Sequence, residues 1–304
     1  MKRKEFIKYA AVGSSVLGLN ATGLNLPNAA SKKRITILHT NDVHSHIEPF
    51  ASNDKRNANK GGVARRATLI EQIRTDNPDT LLLDAGDMFQ GTPYFNYYGG
   101  ELEFKLMSML KYDAATIGNH DFDNSIDGLY AQLPHAKFDL LSANYDFKNT
   151  VLDTHVRPYK TFVRNGIKIG VFGLGIELEG LVDKKMYKET KYLDPIEMTT
   201  DVVSTLKQEE HCDLVICLSH LGYDYDYKQK ISDINLAKAT KDIDLIIGGH
   251  THTFLKEAQT FTNKNGQPVL VNQVGAYGLY LGRVDFYFDE INQKSSTTTA
   301  LSIS

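Results

Sequence analysis

The stretch Gly118-Asn119-His120-Asp121-Phe122-Asp123 decides how the rest of the 304-residue chain is read. It follows the short apolar run Ala114 to Ile117. Four other polar clusters stand at comparable places: Asp42-Val43-His44 after Ile35 to Leu38, Gly86-Asp87 after Leu81 to Leu83, His220 after Leu214 to Leu218, and Gly249-His250-Thr251-His252 after Leu245 to Ile247. Short runs rich in Ile, Leu and Val that end near turn residues read as buried strands of an α/β sheet. Sites in such sheets form in the crevice beyond the carboxyl ends of the strands. The five clusters are therefore expected to meet in one place.

Between and beyond them the pattern alternates. Val63, Ala67, Ile70 and Ile73 have helical spacing, stopped at Asn77-Pro78, and Leu102, Leu106 and Leu110 predict the inward face of a second helix. Tyr159 to Val163 and Ile167 to Leu174 read as a hairpin joined at Asn165-Gly166. Asp194-Pro195-Ile196-Glu197 reads as a helix cap, and a shorter helix is expected around Asp233 to Ala239. The end is β-rich through Phe288. Residues 291–304, rich in Ser and Thr, are expected to be a flexible tail. Together these elements predict one folded domain over residues 31–290, built of two packed sheets covered by helices.

Composition bounds the function. With 41% hydrophobic residues the chain can build a sizeable core, and a net charge of −3 gives no basic face for nucleic acid. A protein of that charge acting on anions needs positive charge from elsewhere, and bound metal ions would supply it. Residues 1–30, with Lys2-Arg3-Lys4-Glu5-Phe6-Ile7-Lys8 ahead of a mildly apolar stretch, resemble a twin-arginine export signal, which implies a periplasmic or extracellular location. No run of about 20 uninterrupted apolar residues predicts a membrane span. Cys212 and Cys217 fall on one predicted strand, pointing to opposite faces, and read as buried small hydrophobes without a disulfide.

The candidate metal ligands are Asp42, His44, Asp87, Asn119, His220, His250 and His252. Asp42/His44 and His250/His252 alternate across one residue, so each pair leaves the same face of an extended segment. Nitrogen and oxygen donors without thiolate favour two divalent ions such as Zn, Mn, Fe or Co over Ca or Mg alone. Two such ions, less two carboxylates and one hydroxide, leave about one positive charge to bind a phosphate and activate water for attack. His120 is better used as a general acid: Asp123, one helical turn on, can orient its imidazole. Asn119 and His120 are also the expected substrate contacts. His39 reads as a core residue. Asp84 and Asp121 read either as hydrogen-bond partners of the ligands or as turn residues. Arg65 and Arg66 read as helix-surface residues, with contact to phosphate as the alternative, and Tyr94, Tyr97 and Tyr98 could wall a cleft or sit exposed.

In this order the clusters Asp42-x-His44, Gly86-Asp87, Gly118-Asn119-His120-Asp121, His220 and Gly249-His250-x-His252 resemble the signature of calcineurin-like metallophosphoesterases. Ile37 to His44, Gly61-Gly62-Val63-Ala64-Arg65 and Ser142-Ala143-Asn144 resemble more narrowly the exported bacterial 5′-nucleotidase/2′,3′-cyclic phosphodiesterase family. The resemblance implies a four-layer α/β/β/α sandwich of two mixed sheets. It assigns Asp42, His44, Asp87 and His252 to one metal, and Asp87 as bridge, Asn119, His220 and His250 to the other. His120 and Asp123 become the catalytic dyad. The implied reaction is hydrolysis of nucleoside 5′-monophosphates or related esters. Members of that family usually continue into a base-binding second domain that this sequence does not contain. A broad phosphatase or cyclic phosphodiesterase, a thiosulfate-ester hydrolase, or a subunit that pairs with a separate 5′-nucleotidase C-terminal-type chain are the alternative expectations.

Overall fold

The computed structural model describes residues 33–226, 230–289 and 294–304; the expected export segment lies outside them. Two six-stranded sheets dominate. The first runs β14 (Lys294–Ser302), β13 (Tyr280–Phe288), β1 (Lys33–Thr40), β2 (Thr80–Asp84), β3 (Ala114–Thr116) and β4 (Asp139–Leu141). The second runs β11 (Gln259–Thr262), β12 (Pro268–Asn272), β10 (Leu245–Gly248), β9 (Leu214–Ser219), β7 (Ile167–Leu174) and β6 (Tyr159–Arg164). A two-stranded ribbon pairs β5 (Tyr145–Asp146) with β8 (Lys191–Tyr192). Strands β1 to β4 are mutually parallel, as are β7, β9, β10 and β12.

Alternation along each strand builds the layers. Ile35, Ile37, Leu81 and Leu83 meet Leu214, Ile216, Leu218, Leu245 and Ile247 between the sheets. The intervening Leu38 and Leu82 face the other way, onto helices α1 (Val63–Asp76), α2 (Pro93–Tyr98), α3 (Glu101–Met109) and α4 (Ser125–Gln132). Val215, Cys217 and Ile246 of the second sheet likewise face a core shared with α6 (Pro195–Gln208) and α7 (Asp233–Ala239), which follow the short α5 (Lys184–Tyr187). The result is an α/β/β/α sandwich, with period-two burial on strands apolar on both faces. The hairpin turns at Asn165 and Gly166, both at positive φ, and the Asp194 carboxylate caps α6 by accepting from Ile196 and Glu197 N–H.

Four expectations need correction. The tail is not loose: β14 pairs with β13 over its full length, and Ile303 is buried. Its threonines are β-branched residues that suit an edge strand solvated on one face. The buried face of α3 is Glu103, Phe104 and Met107 rather than Leu102 and Leu106, because Phe104 and Met107 are the side chains that reach the outer core of the first sheet. Cys212 precedes β9, so it joins Cys217 in the same outer core instead of opposing it; both are free and buried. Arg66 is only 4% exposed, passing beneath Gly278, whereas Arg65 stays at the surface and donates to the Asn59 carbonyl.

Candidate metal centre

Because the parallel strands of both sheets deliver their carboxyl ends to one edge of the sandwich, the loops after β1, β2, β3, β9 and β10 converge there. Asp42 N–H donates to the Gly86 carbonyl and His44 N–H to the Asp87 carbonyl, which ties the first loop to the second. Asp42, His44, Asp87, His250 and His252 all have positive φ, between 49° and 71°. Non-glycine residues adopt this region only a few per cent of the time. Five in one place mark loops bent to aim side chains inward, strain of the kind that accumulates at functional sites.

Two ligand groups result: Asp42 with His44 and His252, and Asp87 with His220 and His250. Within the first, the Nε2 atoms of His44 and His252 lie 3.1 Å apart, and His252 Nε2 lies 3.4 Å from Asp42 Oδ1. In the second, His220 Nε2 is 3.1 Å from Asp87 Oδ2. That same oxygen is 3.7 Å from His44 Nε2, so Asp87 stands between the groups. Asn119 Oδ1 joins the second through a 2.8 Å contact with His250 Nδ1. Every one of the seven sequence-derived candidates is therefore brought to this edge.

The donor set fits divalent cations. Metal bonds of about 2.0–2.2 Å to imidazole and carboxylate put neighbouring ligand atoms about 3.0–3.5 Å apart, and most of these separations fall there. His220 Nε2 is buried without a hydrogen-bond partner among the described residues, while its Nδ1 lies 2.7 Å from the Ala85 carbonyl. His44 Nδ1 similarly faces the Phe89 carbonyl at 3.2 Å. With Nδ1 turned to a carbonyl in each ring, Nε2 is the nitrogen aimed at the centre, where a bound cation would displace its proton and take the lone pair, the arrangement that metal-ligating histidines adopt.

Around the ligands the electrostatics are those of crowded, dry groups. Burial works to raise the Asp87 carboxyl, but the imidazole of His220, and then those of His44 and His120, hold it well below the usual carboxylate range. Burial, then the His220 charge, pushes His250 down to about 3, so its ring is neutral. The Asp121 carboxyl accepts N–H donation from Asp87, Met88, Phe89 and Gly118. Burial and the nearby Asp87 push it up to about 8. Asp84 accepts from Thr40 Oγ1 at 2.5 Å and Gly86 N–H at 2.9 Å. Both expected supporters thus hold the Gly86-Asp87 turn.

His120 stands apart from the ligands. Its side chain is 39% exposed, its ring centroid lies 5.3 Å from that of His44, and its Nδ1 meets Asp123 Oδ2 at 2.7 Å. That hydrogen bond, against the opposing effect of burial, raises its pKa. His39 is fully buried, as expected. The sequence reading overlooked Tyr277. Its ring lies 5.5 Å from His252, and its N–H donates to the Asp42 carbonyl. The flanking Gly275 and Gly278 were the only local sign of a tight approach.

A two-sheet sandwich with paired nitrogen and oxygen ligand groups at the strand ends defines a metallophosphatase architecture, and the chain belongs to the calcineurin-like phosphoesterase family, whose profile matches residues 35–254. Among relatives, it is 35% identical over 278 residues to the snake venom 5′-nucleotidase of Naja atra, covering 84% of this chain and 50% of that protein. The structure of a 5′-nucleotidase precursor from Thermus thermophilus is similar with a TM-score of 0.80 at 32% identity, covering 89% of this chain and 54% of the other. The calcineurin-like phosphoesterase YfkN of Bacillus subtilis is similar with a TM-score of 0.74 at 26% identity, covering 90% and 91%. The chain thus spans about half the length of the nucleotidase relatives it matches.

Proposed function

We propose that the chain is a dinuclear-metal phosphoesterase that hydrolyses phosphate monoesters, nucleoside 5′-monophosphates in particular. The observation that carries this reading is Asp87 placed between two ligand groups, with the His120–Asp123 pair beside them. Asp42, His44, Asp87 and His252 would hold one divalent ion, and Asp87, Asn119, His220 and His250 the other. When bound, the ions supply the positive charge that draws in a phosphate and the acidity that lets water attack near neutral pH.

The chain's own residues do the rest. Asp123 accepts from His120 Nδ1, which leaves Nε2 to carry a proton at the cleft side. Delivered to the leaving alkoxide, that proton contributes roughly 10²–10⁴ in rate. Asn119 and His120 contact the ester, and Asp121 and Asp84 keep the Asp87 turn in register. The 5′-nucleotidase names of the relatives support a nucleotide as substrate, and the thiosulfate ester is the lesser alternative. Residues 1–30 are proposed to export the chain, given their basic start and apolar continuation. A separate chain that completes a base-binding half remains the second reading, since relatives are about twice as long.

The test separates ligand from acid. Asp87→Ala should lose both metals and all phosphate release, whereas His120→Ala should keep its metal content and lose roughly 10²–10⁴ in kcat. Metal analysis and AMP turnover read both. Equal metal loss in the two variants would overturn the division of roles.

A further inference from the structure

We infer that Gln273 is the positioning residue that fixes His250 and His252 at the spacing two cations need; this rests on the dinuclear reading above. The two histidines belong to different ligand groups, yet only Thr251 separates them on the loop after β10. Their backbones take φ of 71° and 52°, a region that non-glycine residues seldom enter. Such conformations persist only where the surroundings over-determine them. Gln273, the first residue after β12, supplies that constraint.

Its side-chain amide grips the loop on both sides of the histidines. Nε2 donates to the Gly249 carbonyl at 2.5 Å, just ahead of His250. Oε1 accepts from Thr253 N–H, just beyond His252, and from the Thr251 hydroxyl between them at 3.1 Å. The base of the grip is held in turn, since Leu255 N–H donates to the Gln273 carbonyl at 2.9 Å. Thr251 Oγ1 also accepts from Tyr223 N–H at 3.0 Å, which ties in the loop after β9 that carries His220. One residue beyond Gln273, Val274 N–H donates to Asn41 Oδ1 at 3.0 Å, and Asn41 Nδ2 donates to Asp42 Oδ2 at 2.6 Å. The same connector thus reaches ligand loops of both sheets. Gln273 is fully buried, and burying an amide costs free energy unless it is hydrogen-bonded. A position that needed volume alone would hold an apolar side chain. The amide bonds go to loop backbone and to Thr251, so Gln273 acts on the cations through the loop.

Gln273→Met keeps the volume and deletes the amide's hydrogen bonds. Zinc titrated calorimetrically into the metal-free full chain should bind at both equivalents about 10–100-fold more weakly than in wild type. Packing at this position alters stability but not the affinity of the folded chain, so the titration is run well below the variant's own Tm. Affinity within about twofold of wild type for either ion would overturn the shared role. Thr251→Val removes one bond of the grip and should weaken zinc in the same sense, about two- to tenfold. It decides the matter by the same criterion if Gln273→Met does not fold. A second readout needs no metal: the imidazole NMR signals of His250 and His252 in the metal-free chain should move in Gln273→Met, while those of the exposed His155 stay. Unmoved His250 and His252 signals would count against the grip. Should wild type take up fewer than two zinc ions per chain, the dinuclear reading falls, while the imidazole signals still decide what Gln273 holds.

Discussion

A methyl group at position 118 would lie 2.2 Å from Asp87 Oδ1 and 2.5 Å from Asp87 N. Glycine is required there for space, since the carboxylate between the ligand groups packs directly on its Cα. Gly118→Ala should therefore displace Asp87, cost about 1–3 kcal/mol as overpacking does, and lower metal content; a variant with full metal and unchanged Tm would refute this. His39 is a second sensitive residue. It is fully buried, Asn272 Nδ2 lies 3.0 Å from its Nε2, and burial pushes its pKa down to about 3. The unfolded chain protonates this ring near 6.5 and the folded chain does not, so the unfolded state binds more protons between those values. Stability should thus fall as pH drops below about 6.5, by up to ~1.36 kcal/mol per pH unit. Denaturant unfolding of wild type against His39→Gln between pH 6 and 4 checks it, and a pH-independent difference would exclude it. The candidate ligand residues were legible because histidines and carboxylates at strand ends have few bland uses in combination. Tyr277 and Arg66 were not, because positive φ and burial depend on contacts far away in the chain.

At the scale of elements, β14 carries the sharpest expectation. It pairs from Tyr280↔Ser302 to Phe288↔Lys294 with β13, and Gly61 N–H and Ile303 N–H tie its end to the Ile303 and Leu279 carbonyls respectively. A chain ending at residue 293 would leave β13 as an unpaired edge, open to association. Its Tm should drop by at least about 5 °C, given roughly 2–4 °C per kcal/mol in domains of 150–250 residues, and sedimentation should reveal oligomers. A monomer with the parent Tm would show that β14 is dispensable. Strands with continuous Ile, Leu and Val were readable because burial on both faces leaves no polar interruption. The Ser/Thr run of β14 was misread since an exposed edge strand and a linker share a composition. The face of α3 was misplaced for a related reason: Leu102 and Leu106 have the right period, yet the neighbouring Phe104 and Met107 fill the core.

Across the whole molecule, two sheets point their parallel strands at one edge, and the ligand groups draw on both. Asp42 and Asp87 come from the first sheet, His220, His250 and His252 from the second. Cations bound there would bridge the layers and stabilise the native state by mass action. Chelation should accordingly lower Tm as well as abolish turnover, with re-added Mn or Zn restoring both; a Tm indifferent to chelator would argue against structural coupling. The sandwich was legible from the alternation of strands and helices, while strand order was not, since nothing local says that β13 inserts beside β1. The partners His44 and His252 stand 208 residues apart in the chain. A ribosome therefore exposes the earliest donors long before the last one emerges, and on the proposed assignment no partial product owns a whole pocket. Cation capture would then certify that synthesis had passed His252, sparing shorter polypeptides from sequestering scarce ions.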